Sequence, residues 1–220
     1  MNRLHKLNMT KQQNKEYADN FNKMMKKSEE VGYLNTEDII KSGIQKGHVL
    51  EIGPGPGILG LNWLKKTSGT YLTGLEICPD MIINAKENAA KNKELFHRVT
   101  YIHGNAESMP FDDNSFDAVF SNSSLHEWEH PCDVLSEIQR VLLPGGKFYI
   151  SDFRKDMKKA FKYFIIATTT KKLRKELRES MVEAYTKSEA EELLEKCGYK
   201  NFTVDLLPYG LIIKGETNNG

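Results

Sequence analysis

Residues 49–60 read VLEIGPGPGILG, and this stretch decides the fold. Its first four residues form a short, mostly apolar run, which is typical of a buried parallel strand. The run stops at a loop in which every second residue is glycine, and the loop leads into apolar residues that open a helix. Glycine adopts positive φ without strain and has no side chain to hold a ligand away from the backbone. Because the first N–H groups of a helix attract polar or anionic groups, the stretch predicts a nucleotide-type cofactor site.

Glu51 lies two residues before the first glycine, in a strand whose neighbouring residues suit burial. A buried carboxylate is costly unless it has partners. The pattern acidic-x-Gly-x-Gly-x-Gly resembles the first motif of the class I S-adenosylmethionine (SAM) methyltransferases. In that family the glycines pass beneath the cofactor, and the acidic residue supports the loop or the amino-acid end of the cofactor. The residues alone leave a second interpretation, a glycine-rich strand-to-helix turn whose Glu bonds to local amides.

Four further segments fit the same interpretation in chain order. Glu76 ends the second predicted strand, about 20 residues beyond the loop, where nucleotide-binding folds place a carboxylate against the ribose hydroxyls. Residues 103–111 resemble the segment of the family that meets the adenine, with Asn105 where the family has aspartate. Residues 115–122 and 142–147 resemble its fourth strand and its Leu-x-Pro-Gly-Gly turn. The resemblance implies a cofactor site formed by Glu51, Gly53, Gly55, Gly57, Glu76, Ile77, Met81, Asn105, Ala106, Glu107, Ser121 and Asn122.

The predicted elements follow the order of one doubly wound α/β domain. Strands are expected near 48–52, 70–76, 98–102, 116–121, 147–152, 202–207 and 209–215. By resemblance, the sheet is Rossmann-like with seven strands, the last antiparallel, and helices flank it. The single domain, 1–220, is expected to comprise an N-terminal helical lid (1–47), a cofactor-binding core (48–152), a helical substrate-side insertion (153–184) and a C-terminal helix with strands (185–217).

The resemblance implies methyl transfer from SAM to a small-molecule acceptor, with S-adenosylhomocysteine as product. The tail of the chain, residues 185–199, is similar to that of small-molecule methyltransferases related to quinone C-methylases. Residues 55–60 also fit G-x-G-x-x-G, so an NAD(P)-dependent oxidoreductase is the alternative enzyme class. The substitution at Asn105 leaves a third alternative, a regulatory protein that binds SAM without catalysis.

His126 is the candidate catalytic residue. It follows the fourth strand, whose end points at the crevice where cofactor and substrate would meet. Methylation of an oxygen, nitrogen or acidic carbon is helped by a base, and an imidazole titrates near neutral pH. Packing or substrate orientation is the alternative role. Four aromatic residues are expected to line the acceptor site: Tyr17, Tyr33, Trp128 and Phe161.

Residues 126–130 read HEWEH, which spells the H-E-x-x-H pattern of zinc proteases. That chemistry needs both histidines on one face of a continuous helix. Pro131 follows the second histidine directly and disfavours helical backbone at that residue. We therefore predict no metal site, with a divalent metal bound by His126, Glu127 or His130 for another reason as the alternative.

The composition excludes several partner classes. A net charge of +1 over 220 residues gives no bulk attraction to nucleic acid, and no apolar run approaches the ~18 residues of a membrane span. Residues 1–20 lack the apolar core of a signal peptide, so we expect a cytoplasmic monomer or homodimer. Cys78, Cys132 and Cys197 are odd in number and widely spaced, which predicts reduced thiols.

Residues 154–180 hold ten Lys or Arg and three acidic residues, interleaved with aromatic and aliphatic ones. The first expectation is a solvated face on the substrate-side insertion. A pocket for an anionic substrate and a peripheral contact with a lipid surface are the alternatives.

Overall fold

The computed structural model describes residues 11–217, with side chains from residue 14 onward. Seven strands form one sheet: β1 His48–Ile52, β2 Tyr71–Glu76, β3 Val99–His103, β4 Phe116–Asn122, β5 Leu142–Phe153, β6 Phe202–Leu206 and β7 Gly210–Glu216. Their order is β3-β2-β1-β4-β5-β7-β6, and β7 runs antiparallel to both of its neighbours. The predicted seven-stranded, doubly wound sheet with an antiparallel last strand is confirmed. β5 is longer than predicted, because Leu142 already pairs with Phe116 before the expected turn.

Eight α-helices accompany the sheet in residues 11–217. They are α1 Lys11–Glu30, α2 Thr36–Lys41, α3 Ile58–Lys66, α4 Pro79–Ala90, α5 Pro131–Val141, α6 Lys159–Thr168, α7 Arg174–Glu183 and α8 Lys187–Lys196. Helices α1 and α2 precede the first strand, and α6 and α7 lie in the insertion after β5. Residues 1–10 of the proposed lid and residues 218–220 lie outside the described part of the chain.

Helices cover both faces of the sheet, which explains why the central strands are apolar on both sides. Leu50 and Ile52 belong to a core cluster that includes residues of α5 and α8. Val49 points to the opposite face and belongs to a second cluster with residues of α3 and α4. This alternation follows from the two-residue period of a strand. In open α/β sheets of this kind, ligands bind outside the carboxyl ends of the strands.

A row of three residues crosses β1, β2 and β3 at the same level. Glu51 pairs with Gly74, and Gly74 pairs with Tyr101. A Cβ added at Gly74 would lie 2.7 Å from Cδ1 of Tyr101. The missing side chain therefore leaves room for the Tyr101 ring to lie across β2. Its hydroxyl reaches the glycine loop, because a Cβ added at Gly57 would lie 2.2 Å from that oxygen.

Cys132 and Cys197 form a disulfide, so the prediction that all three cysteines are reduced is wrong for this pair. The two residues are 65 positions apart in sequence, but the start of α5 and the end of α8 meet on one face of the sheet. Their Cα atoms lie 5.2 Å apart, whereas Cys78 is a free thiol. Disulfides persist mainly in oxidising compartments, and the cytoplasmic location stays a prediction. Within residues 11–217, no helix is both long and apolar enough to cross a membrane.

Replacing Gly74 with alanine should destabilise the fold, because the added Cβ overlaps the Tyr101 ring. We expect a loss of about 1–3 kcal/mol in the free energy of unfolding, measured by urea denaturation. Combining Gly74→Ala with Tyr101→Ala should cost at least about 1 kcal/mol less than the sum of the two single changes. Strictly additive losses would show that the two side chains do not compete for this space.

Candidate active site

The loop between β1 and α3 has a backbone that only glycine adopts easily. Gly53, Gly55 and Gly57 have φ angles of 65°, 54° and 74°, all in the left-handed region. Other residues at these angles are strained, so the glycines are required by backbone geometry. Gly57 is also the N-cap of α3, whose first N–H groups face the end of the loop. The geometry is that of the glycine-rich cradle predicted from the sequence.

Glu76, at the end of β2, holds this loop in place. One oxygen of its carboxylate accepts a hydrogen bond from the Gly55 N–H at 2.9 Å, and the other accepts one from the Cys78 N–H at 2.9 Å. Burial raises the pKa of Glu76, and the two backbone donors act in the opposite direction. Each carboxylate oxygen can accept a further hydrogen bond, so the group can bind two hydroxyls of a ligand while keeping the loop.

Glu51 lies on the other side of the loop and is only 2% exposed. Burial, followed by the nearby charge of Glu76, raises the pKa of Glu51 to about 8. A Cβ added at Gly60 would lie 2.2 Å from Oε2 of Glu51, so this glycine lets α3 approach the carboxyl group. Of the two roles that the resemblance left open, this position beneath α3 favours support of the loop.

Serine and asparagine side chains tie the end of β4 to its neighbours. Ser121 donates a hydrogen bond to the Ile52 carbonyl at 2.9 Å and bonds to the Ser124 hydroxyl at 2.5 Å. Asn122 accepts hydrogen bonds from Asn35 at 2.8 Å and from Ser151 at 2.7 Å. The connection between α1 and α2 is thereby fixed to the carboxyl end of the sheet.

His126 and Asp152 form a buried pair at the ends of β4 and β5. Asp152 accepts hydrogen bonds from the backbone N–H of His126 and from its Nδ1, both at 2.8 Å. A proton on Nδ1 makes Nε2 the basic nitrogen of the neutral ring. Sequence reasoning missed Asp152, although an acidic residue at the carboxyl end of the fifth strand was a usable signal.

The histidines of the HEWEH segment do not share a helix face. His126 lies on a short 3-10 turn, Leu125–Glu127, and α5 begins only at Pro131. His130 is exposed and pairs with Glu107 at 3.2 Å, and its hydrogen bond with Glu107 raises the pKa of His130. No group of three or more metal-binding side chains occurs in the described part of the chain. The geometry of a zinc protease is therefore lacking.

The residues expected at the adenine lie near the ends of β2 and β3. Met81 is buried, with its sulfur 4.0 Å from a Cβ added at Gly55. Ile77 is exposed, and Ala106 is buried in the core. The side-chain oxygen of Asn105 accepts the Glu107 N–H at 3.1 Å, which forms a local turn.

Helix α1 passes over the glycine loop. Cε1 of Phe21 lies 3.3 Å from a Cβ added at Gly55. The ring of Tyr17 stacks on the ring of Phe21, with the two centroids 6.0 Å apart. Phe21 was missed because an aromatic residue in a polar helix carries no signal of its distant neighbour. Polar contacts attach this part of α1 to α4, including a hydrogen bond from Asn88 to Asn22 at 2.9 Å.

The four aromatic residues expected at the acceptor lie in different environments. Tyr17 is next to Phe21, over the glycine loop. Tyr33 is 75% exposed, whereas Trp128 is buried in the core cluster that contains Leu50 and Ile52. Phe161 is exposed on α6. The structure therefore does not bring these four side chains together.

Comparison with known proteins agrees with this geometry. Residues 50–150 match a family described as a methyltransferase domain. A Methanococcus maripaludis protein assigned as an S-adenosyl-L-methionine-dependent methyltransferase has the same fold, with a TM-score of 0.76, 25% identity and 94% of each chain covered. Over its cofactor-binding core, the chain is therefore similar to SAM-dependent methyltransferases. The dinucleotide alternative is set aside, because the matching family and the matching structure are both described as methyltransferases.

Curated relatives within this family match part of the chain. The ubiquinone/menaquinone biosynthesis C-methyltransferase of Paracoccus denitrificans is 27% identical over 106 residues, which cover 48% of this chain and 42% of that protein. The sterol 4-C-methyltransferase of Caenorhabditis elegans is 35% identical over 121 residues, or 52% of this chain and 35% of that protein. The chain thus spans less than half the length of either relative.

The raised pKa of Glu51 predicts a pH-dependent stability. Its pKa rises from an ordinary value of 4.5 to about 8, so the folded state keeps a proton that the unfolded chain releases. The stability that this retained proton contributes to the folded state is fully present below pH 4.5 and is lost as the pH rises toward 8. The free energy of unfolding of Glu51→Gln should therefore fall less steeply over this range, by up to about 1.4 kcal/mol per pH unit.

Urea denaturation at several pH values between 5 and 8 measures this difference. Glu94→Gln, at an exposed position, is the matched control and should follow the parent protein. Parallel curves for the parent and Glu51→Gln would contradict the raised pKa of Glu51.

Proposed function

We propose that this chain transfers the methyl group of SAM to a small, largely apolar acceptor that bears an acidic O–H or C–H group. The observation that carries the proposal is the pairing of two features at one edge of the sheet. A left-handed glycine loop held by Glu76 lies at the ends of β1 and β2, and the buried His126–Asp152 pair lies at the ends of β4 and β5. The relatives named for quinone and sterol methylation support an apolar acceptor.

The cofactor fits the residues present. Bound SAM would supply a methyl group already activated on a sulfonium, so the protein mainly provides orientation. Glu76 would accept the two ribose hydroxyls, and the loop backbone, Gly53 to Gly57, would lie beneath the amino-acid end. Met81 would pack against the adenine, with Asn105 and the neighbouring amides at its edge. Ser121 and Asn122 would close the site from β4.

His126 would act as the general base, taking the acceptor's proton at Nε2. Asp152 holds the ring in this tautomer and would stabilise the imidazolium that forms, the division of labour of histidine–carboxylate pairs in other enzymes. Both side chains are buried, so their charges interact more strongly than in water.

The acceptor would enter between α1, the His126 turn and the insertion. Helix α7 contacts the 3-10 turn that carries His126, and Lys172 bonds to Glu16 of α1 at 2.5 Å. The lid (1–47) and the insertion (153–184) would therefore close over the same point. Tyr17 and Phe21 would line the cofactor side of this closure, and Tyr33, Trp128 and Phe161 would need rearrangement to reach the acceptor.

Removing the acceptor oxygens of Glu76 should weaken SAM binding. For Glu76→Ala we expect a loss of about 1–3 kcal/mol in binding free energy, because charge-assisted hydrogen bonds to the ribose disappear. Isothermal titration calorimetry with SAM measures the loss, and Glu94→Ala serves as the exposed control. Equal affinity of Glu76→Ala and the parent would contradict the ribose assignment.

Asp152→Asn should change the tautomer of His126. The asparagine amide can donate to Nδ1, so the ring proton should move to Nε2, where the ring no longer accepts a proton. Nitrogen-15 NMR of labelled histidine reads the tautomer directly. Turnover with a panel of quinols and phenols should fall by about 10²–10⁴, with SAM affinity unchanged. An unchanged tautomer and unchanged turnover would rule out the positioning role of Asp152.

A further inference from the structure

Helix α6 presents its aromatic residues to solvent. Apolar side chains recur at positions 160, 163, 164 and 167, the spacing of one helix face, and all four are exposed. Tyr163 is 71% exposed, Phe164 60% and the flanking Phe161 40%. The opposite side of the helix packs on the protein through Ile166, which clusters with Met157 and Met181. This apolar stripe therefore faces outward, away from the cluster that attaches the helix to the protein.

The same segment concentrates positive charge. Residues 154–180 carry ten basic and three acidic side chains, a net charge of +7, whereas the whole chain has +1 and the remainder therefore −6. Arg154, Lys155 and Lys172 are paired with carboxylates. The others form no ion pair with any residue between 14 and 217, and five of them are exposed: Lys158, Lys159, Lys171, Lys175 and Arg178.

We propose that the aromatic face of α6 and the basic residues around it dock this protein on an anionic lipid surface. Exposed aromatic side chains enter the boundary between headgroups and acyl chains, and lysines are attracted to anionic headgroups. The chain needs both features, because neither a few aromatic residues nor a few lysines alone give stable binding.

The charge of this surface favours an anionic membrane over a second copy of the chain. A second copy of the chain would bring another +7 segment against the first, and like charges across an interface repel. The complement of a basic, aromatic helix is a surface that is negatively charged outside and apolar within, which describes a membrane containing anionic lipids.

The location of this surface agrees with an acceptor taken from a membrane. The insertion that carries α6 also carries α7, which contacts the His126 turn. Docking would place the roof of the proposed acceptor site near the bilayer. This consequence rests on the proposed function, whereas lipid binding itself does not.

Flotation with lipid vesicles tests the proposal without SAM or an acceptor. The full chain should bind vesicles of phosphatidylcholine with 30% phosphatidylglycerol, bind pure phosphatidylcholine vesicles at least about tenfold more weakly, and dissociate as salt is added. Removing two charges with Lys171→Gln and Lys175→Gln should weaken binding by about tenfold or more. Replacing the two phenylalanines, Phe161→Ser and Phe164→Ser, should have an effect of similar size.

Matched controls lie away from the insertion. Phe96→Ser removes another exposed phenylalanine, and Lys86→Gln with Lys93→Gln removes two other exposed charges; both variants should bind like the parent. Thermal melts confirm that each variant is folded. The proposal would be overturned by equal binding to neutral and anionic vesicles, or by equal losses of binding in the control variants. It would also be overturned if, at the same salt concentration, the protein bound a single-stranded oligonucleotide but no vesicles. If the parent protein formed a dimer and bound no vesicles, and if the double variant Phe161→Ser with Phe164→Ser were monomeric, the aromatic face would be assigned to a second copy of the chain.

Discussion

The hydrogen bond from the Gly55 N–H to Glu76 is the interaction on which the candidate site depends. It joins the end of β2 to the loop after β1 and fixes the middle glycine of that loop. The three glycines of the loop have no side chains to stabilise their left-handed angles, and glycine has many conformations open to it when unconstrained. A buried carboxylate from the neighbouring strand supplies the constraint that the loop lacks.

Two buried carboxyl groups at this edge give the site its electrostatic character. Glu51 and Glu76 lie on either side of the loop, and each is driven toward its neutral form by burial. The charge of Glu76 further raises the pKa of Glu51. A cationic ligand near the pair would offset this repulsion, which suits a cofactor that carries a sulfonium and an ammonium group. An anionic pyrophosphate would increase it.

The sequence predicted those parts of the fold and site that local pattern determines. Gly53, Gly55 and Gly57 were recognisable because the backbone after a parallel strand needs them, and Glu76 because its spacing from the loop is set by one helix. Asp152, Phe21 and the Cys132–Cys197 pair escaped, since each depends on two segments that are distant in sequence. The Asp152 contact joins the ends of two strands, and the disulfide joins two helices that only the finished sheet brings together. The glycine loop and its carboxylate are thus readable from the sequence, whereas contacts between distant segments are not.

The central claim is that this edge of the sheet binds SAM rather than a dinucleotide. Isothermal titration of the unmodified chain with S-adenosylhomocysteine and, separately, with NAD⁺ tests it most directly. We expect one site of micromolar affinity for S-adenosylhomocysteine, because Glu76 and the glycine loop are preformed. We expect no measurable heat with NAD⁺, whose pyrophosphate would face two buried carboxyl groups. Tighter binding of NAD⁺ than of S-adenosylhomocysteine would contradict it.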